Sequence, residues 1–432
     1  MTDIIEELKW RGLIYQSTDR QQLRGWLAEG PRVLYAGFDP TSDSLHAGTL
    51  LGLVALRRFQ RAGHRPIALV GGATGMIGDP SGKSEERNLL SEDQLRANVA
   101  GIEAQIRRFV DFDDAAAGGS LVNNYDWMSR FGYIEFLRDV GKNFPVNVMM
   151  TKDSVKSRLG SGDGGGAGGG ISYTEFSYML LQAYDFAHLF EQRGCHLQVG
   201  GSDQWGNITA GIDLIRRRNG AEAYGMTWPL LTKSDGSKMG KTESGAVWLS
   251  AERTSPYAFY QYWINVEDAD VGRCLRYLTE LGREEIESLD AARVSAPERR
   301  ESQRRLAESL TQLVHGDEGL AIAQRATEIF FGAEIADLSD AQLGSIFADV
   351  PSGELDRERL GGEGLPVVDA LVEATLAGSK GEARRLLKQG GVYINNRRAE
   401  SQEQMLTAAD LASESTIVLR SGKKRYALLR FS

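Results

Sequence analysis

The chain has 432 residues, 41% of them hydrophobic and 25% charged, which allows roughly two to four domains and excludes wholesale disorder or collagen-like repeats. No stretch nears the ~18 uninterrupted apolar residues of a membrane helix, and the opening Thr2-Asp3-Ile4-Ile5-Glu6-Glu7 lacks the basic and apolar regions of a secretory signal. Two cysteines, Cys195 and Cys274, make no disulfide framework or zinc pair, so a reducing cytoplasm is expected.

Val33 to Phe38 reads as a buried strand, broken by Asp39-Pro40-Thr41-Ser42. A helix is predicted from about Leu45 to Ala62, with Gly63 as its stop. Pro66 to Gly72 is a second apolar strand, and strand–helix–strand at this spacing makes a βαβ unit in a parallel sheet. Leu121-Val122-Asn123 and His196-Leu197-Gln198-Val199 look like further strands of one open α/β layer. The nearly all-glycine stretch 160–170 can hold neither helix nor strand and reads as a loop. Ser255-Pro256 makes an N-cap and N1 pair, opening helical segments that run to about Phe331. Residues 332–364 read as linker. The expected division is a Rossmann-like catalytic domain over 1–229, a lysine-bearing loop and α-helical domain over 230–331, the linker, and a small α+β domain over 365–432.

Charge separates along the chain. The net charge is −9, yet from Ser379 onward eleven Lys/Arg stand against five Asp/Glu. An acidic body with a basic tail domain points to a polyanion as partner of the tail.

Three groups of residues carry chemistry. The segment Asp39 to Thr49 joins a strand to a helix start, where free N–H groups and the helix dipole favour anions. Thr41, His46 and Thr49 can donate there, and Gly48 permits close approach. Lys238-Met239-Gly240-Lys241-Thr242 follows an apolar stretch, and its two lysines can meet a developing polyphosphate charge. Tyr178, Gln182 and Asp185 fall at i, i+4 and i+7 on one helical stripe among apolar neighbours. Gly78 to Ser84, by contrast, has one residue too few between its glycines for a phosphate-binding P-loop.

The first two groups resemble the His-Ile-Gly-His and Lys-Met-Ser-Lys-Ser signatures of class I aminoacyl-tRNA synthetases. Tyr35-Ala36-Gly37-Phe38-Asp39-Pro40-Thr41, Gly71-Gly72-Ala73-Thr74-Gly75-Met76-Ile77-Gly78-Asp79-Pro80, Glu175 to Phe186 and Gln198 to Asn207 are together similar to bacterial tyrosyl-tRNA synthetases. The resemblance implies that Asp79, Tyr178 and Gln182 hold a substrate ammonium, that Tyr35 and Asp185 meet its phenolic hydroxyl, and that Gln204 lies near its carboxylate. It places Gly37, Asp39, Gly48, Gly201 and Asp203 on the nucleotide, and Thr41, His46, Thr49, Lys83, Arg87, Lys238, Lys241 and Thr242 around the phosphates. Thr49 stands where the family usually has its second histidine.

The tail resembles a small RNA-binding module first known from a ribosomal protein, with Lys380, Arg384, Arg385, Lys388, Lys423, Lys424 and Arg425 as its basic face. The resemblance implies ATP with Mg²⁺ as substrate and no tightly bound cofactor or metal. It implies tRNA(Tyr) and L-tyrosine as partners, a homodimer, and no membrane. Two other readings stand beside it: a tryptophan-type synthetase, and a synthetase-like RNA-binding protein that has lost catalysis.

Overall fold

The computed structural model describes all residues except 1–2, 82–89, 115–116, 153–154, 157–169, 243–244, 337 and 348–349, and the backbone alone of Lys241 and Thr242. Lys83, Arg87 and nearly all of the glycine-rich stretch thus lie outside the described residues. Contacts divide the chain into two units: Met1–Ser250 with Val266–Leu306, and Ala251–Asn265 with Ala307–Ser432. The helical stretch after Ser255 is therefore shared between them.

The first unit is built on a six-stranded sheet in the order β1-β6-β5-β2-β3-β4. Its strands are β1 (Gln16–Ser17), β2 (Val33–Phe38), β3 (Arg65–Val70), β4 (Ser120–Asn123), β5 (Cys195–Gly201) and β6 (Tyr224–Trp228). All pair in parallel except the short β1. From β2 the chain moves outward through β3 to β4. It then returns to lay β5 on the other side of β2 and continues to β6. The order reverses between β2 and β5, and ligands of open α/β sheets bind at the carboxyl ends of strands at such a switch point.

Three helices position the site. Helix α1 (Leu50–Arg61) follows β2, entered through a 3₁₀ turn at Ala47–Thr49. Helix α2 (Tyr173–Arg193) starts at Ser172, whose side chain accepts from Glu175 N, and stops at left-handed Gly194. Its apolar side, with Ala183, Phe186 and Leu189, packs into a core shared with Tyr35, Ile67 and Leu69. Helix α3 (Trp205–Asn219) follows β5. A fourth, α4 (Asp268–Leu278), is held to α1 by buried Arg58. That guanidinium donates to the carbonyls of Tyr277, in the last helical turn, and of Thr279, just beyond it. Carbonyls at a helix C-terminus lack intrahelical donors, and a cation there satisfies them.

The second unit carries a five-stranded sheet in the order β12-β11-β14-β15-β9, formed by β9 (Ser352–Leu355), β11 (Val392–Ile394), β12 (Arg397–Arg398), β14 (Thr416–Ser421) and β15 (Arg425–Phe431). A separate two-stranded ladder joins β10 (Leu365–Pro366) and β13 (Met405–Leu406). The expected linker holds structure of its own. Helix α5 (Asp340–Ile346) opens on a reciprocal cap between Ser339 and Gln342, and β9 pairs in parallel with β15. The Asp340 carboxylate accepts from Ser415 Oγ at 2.7 Å and Thr416 Oγ1 at 2.9 Å. Those bonds tie α5 to the module. The aromatic helix Pro256–Ile264 buries Phe259, Tyr260 and Trp263, so these rings serve packing.

Candidate active site

A cavity of about 420 Å³ opens at the β2–β5 switch point. Among its lining residues are Tyr35, Gly37, Asp39, Thr41, His46, Gly48, Thr49, Asp79, Tyr178, Gln182, Asp185, Gly201, Asp203, Gln204 and Lys238. One fold thus gathers residues that lie up to two hundred positions apart.

At its closed end, Tyr35 on β2 and Gln198 on β5 are register partners. Both are buried, and the Tyr35 hydroxyl and the Gln198 Oε1 have no hydrogen-bond partner among the described residues. Burial and the nearby Asp185 charge push the Tyr35 phenol above its ordinary value, so it stays a neutral hydroxyl. Asp185, on α2, is fully enclosed and accepts from Asn124 Nδ2 at 3.0 Å and Trp127 Nε1 at 2.8 Å. Buried polar atoms without partners are costly. Two of them beside a carboxylate, at the floor of a cavity, make a place shaped for a ligand hydroxyl.

Two turns up the same face of α2, Tyr178 donates to Asp39 Oδ2 at 2.9 Å, while Thr74 donates to Asp39 Oδ1 at 2.8 Å. A Cβ on Gly71 would overlap both the Asp39 carboxylate and the Thr74 hydroxyl, so glycine is needed there. Asn124 links this chain to the floor by donating to Thr74 Oγ1 at 3.0 Å. A second chain runs from Asp79 to Gln204 Nε2 at 2.7 Å, on to Gln182 at 3.2 Å, and from Gln182 to Asn207 at 2.9 Å. Carboxylates and amide oxygens therefore ring the middle of the cavity, an arrangement suited to a cation.

The open end carries the two signature loops. Gly240, with φ of 85°, sits against Ala47 and Gly48. Ala47 N donates to Val247 O at 2.8 Å and Val247 N to Gly240 O at 2.9 Å, so one strand of chain bridges the loops. Lys238 is exposed and lines the cavity. Lys241 and Thr242 form a short antiparallel ladder (β7) with Gly245–Ala246 (β8). The Thr49 hydroxyl donates to His46 O at 2.7 Å and accepts His46 N at 3.3 Å. It is engaged in capping its own turn.

Sequence reasoning missed Thr74, Asn124, Trp127, Gln198 and Asn207. The available signals were slight: Asn124 directly after a strand end, and Gln198 interrupting an apolar strand.

A Rossmann-like sheet whose switch-point cavity carries these two loops at its open end defines a class I aminoacyl-tRNA synthetase. Residues 27–332 match the family model for class I tRNA synthetases of the tryptophan and tyrosine type, and residues 342–429 match the tyrosine–tRNA ligase SYY-like C-terminal domain. The chain belongs to the tyrosine–tRNA ligase family. It is 60% identical over 427 residues to the tyrosine–tRNA ligase of Rhodopirellula baltica, covering 99% of this chain and 96% of that one. It is 54% identical over 431 residues to that of Roseiflexus castenholzii, covering all of both. A C-terminally truncated mitochondrial tyrosyl-tRNA synthetase from Aspergillus nidulans superposes with a TM-score of 0.66 at 30% identity, over 76% of this chain and 94% of that one. The tryptophan reading falls here, since full-length relatives at this identity and the C-terminal domain are of the tyrosine type.

In that C-terminal domain Lys380, Arg384, Arg385, Lys388, Lys423, Lys424 and Arg425 are all exposed. The first four lie on helix α6 (Lys380–Lys388), and Lys380 is paired with Asp369 at 2.8 Å.

Proposed function

We propose that this tyrosine–tRNA ligase activates L-tyrosine with ATP and passes the tyrosyl group to the terminal ribose of tRNA(Tyr), using the cavity at the β2–β5 switch point. The unpartnered Tyr35 hydroxyl beside Asp185 carries the reading. A substrate phenol donates to Asp185 and accepts from Tyr35. Phenylalanine leaves both polar groups unmatched, and that cost is the discrimination. Asp79, Tyr178 and Gln182 take the ammonium, and Gln204 lies by the carboxylate. Asp39 fixes the Tyr178 hydroxyl in addition to facing the nucleotide with Gly37, Gly48, Gly201 and Asp203.

The carboxylate is ionised at neutral pH and needs no base. Its oxygen attacks the α-phosphorus, the bond to pyrophosphate breaks, and negative charge gathers on the leaving group. Thr41, His46, Lys83, Arg87, Lys238, Lys241 and Thr242 are assigned to that charge, so catalysis rests on positioning and electrostatic stabilisation. A ribose hydroxyl of the tRNA then attacks the acyl carbon and AMP leaves. Mg²⁺ enters as the counter-ion of ATP. Among the described residues no group of three His, Cys, Asp or Glu could hold it alone.

The basic face of the C-terminal domain is assigned to tRNA. The division at 1–229, 230–331 and 365–432 serves as a functional one: chemistry, lysine loop with helices, and RNA. Tyr133 and Tyr173, whose hydroxyls lie 3.5 Å apart, and the adjoining Ile134 leave large side chains exposed on the first unit, and an exposed apolar cluster of this kind supports a homodimer. No helix among the described residues is long and apolar enough to cross a membrane, and we place the enzyme in the cytoplasm. The test is ATP–pyrophosphate exchange across a panel of amino acids. Exchange that depends on tyrosine is expected; dependence on tryptophan, or none at all, overturns the proposal.

A further inference from the structure

The lysine-bearing loop is a hairpin. Thr232 and Lys238 form its bridge, Met239 N donates to Leu231 O at 3.0 Å, and left-handed Gly236 makes its tip, where Asp235 accepts from Ser237 N at 2.8 Å. The strand entering the tip is gripped from outside by α4. Arg273 Nη2 donates to Thr232 O at 2.5 Å, and Asp270 Oδ2 accepts from Ser234 N at 3.2 Å. The two gripping groups are themselves paired at 2.7 Å, with the Asp270 side chain almost wholly buried. Cys274, the next residue on the same helical face, packs its sulfur 3.4 Å from that of Met239, on the returning strand. Positions 270, 273 and 274 follow the i, i+3, i+4 rule, so one face of one helix holds both strands. Neither Asp270 nor Arg273 lines the cavity, whereas Lys238 does.

We propose that Asp270 and Arg273 are positioning residues for adenylate formation, setting the angle at which the hairpin presents Lys238 to the ATP phosphates. The inference rests on the phosphate-side role given to Lys238. A buried carboxylate paired with a part-buried guanidinium, together bonded to two backbone groups of the hairpin, forms a rigid hinge plate. Breaking the pair leaves a buried charge and a backbone donor without partners. The hairpin then settles elsewhere, and displacement of a charge-stabilising group by ~1 Å is enough to slow chemistry by about a hundredfold. Tyrosine binding, at the far end of the cavity, does not depend on the hairpin.

The experiment is single-turnover formation of tyrosyl-adenylate by the full-length enzyme with tyrosine and MgATP, alongside the tyrosine dissociation constant. Asp270→Asn and Arg273→Lys are each expected to slow the step about 10- to 100-fold, with tyrosine affinity changed less than about twofold. Arg276→Gln is the control: it breaks a comparable pair on α4, with Asp290 at 2.6 Å, remote from the hairpin, and should leave the rate unaltered. In a Lys238→Ala background Asp270→Asn should add little further loss, because both act through the same contact. Additive losses, or an equal slowing by Arg276→Gln, overturn the inference while leaving Lys238 in place. A Lys238→Ala enzyme of undiminished rate removes the role of Lys238 and this inference with it.

Discussion

The Asn124 side-chain amide donates to Asp185 Oδ2 at 3.0 Å, joining the loop after β4 to the middle of α2 across 61 residues of chain. Burial pushes the Asp185 carboxyl up to about 7, against the opposing bonds from Asn124 and Trp127, and the Asp39 charge adds to the rise. In the unfolded chain the same group titrates near 4. Between those values the folded protein holds a proton that the unfolded chain has released, so this group's contribution to stability declines as pH rises through that window.

Tyrosine binding follows the opposite course. Above about 7 the ionised Asp185 is a charged acceptor for the substrate hydroxyl, worth roughly 1.5–3 kcal/mol. We expect the KM for tyrosine to rise about tenfold or more as pH falls below that point. Asp185→Asn should flatten the profile and raise KM throughout. Superimposable profiles for both enzymes would contradict the assignment.

Tyr35→Phe removes one hydroxyl from a site that encloses it completely. The expected loss in kcat/KM for tyrosine is about 2- to 13-fold, from ~0.5–1.5 kcal/mol of net hydrogen bonding. Phenylalanine activation should fall less, because phenylalanine never met that group. Competition between the two amino acids in pyrophosphate exchange measures the ratio, and an unchanged preference for tyrosine refutes the role.

Thr49 is committed to its own turn by two bonds with His46. Thr49→Ser keeps the hydroxyl and should keep both stability and rate. Thr49→Val keeps the shape alone and should cost about 1 kcal/mol, the usual worth of a cap. The denaturation midpoint reports the first effect and adenylate formation the second. A rate lost in Thr49→Val without any change in stability would return Thr49 to the phosphates.

Arg384 and Lys388 sit one helical turn apart on α6, both exposed. Converting both to Ala should weaken tRNA binding and lower the salt dependence of affinity by about one to two phosphate contacts. Tyrosine activation, measured without tRNA, should not change. A salt slope equal to that of the parent enzyme excludes these two side chains from the RNA face.

Much of this molecule was legible before folding. Apolar runs marked Val33–Phe38 and Pro66–Gly72 as strands, the second observed at Arg65–Val70, and a three-residue stripe on α2 announced the pocket wall. Each signal is local, set by the period of a helix or strand. Asn124, Trp127 and Gln198 were not legible, because their meaning lies in partners 58 to 163 residues away (Asp185 for the first two, Tyr35 for the third). Residues 332–364 misled for a related reason. The β9 strand within that stretch is stabilised by its pairing with β15, and turn-forming residues around such short pieces outweigh their own weak periodicity.

The order of residues alone determined the class of sheet, the two loops at its carboxyl edge and the basic closing module, since these are written in periodicity, glycine placement and charge. Only the tertiary structure decided that Tyr35 lies beside Gln198 with no partner for its hydroxyl among the described residues, that Thr49 caps its own turn, and that α4 grips the lysine hairpin. Those facts depend on which polar atoms are left unmatched after packing, and unmatched atoms exist only once every other group has found its place.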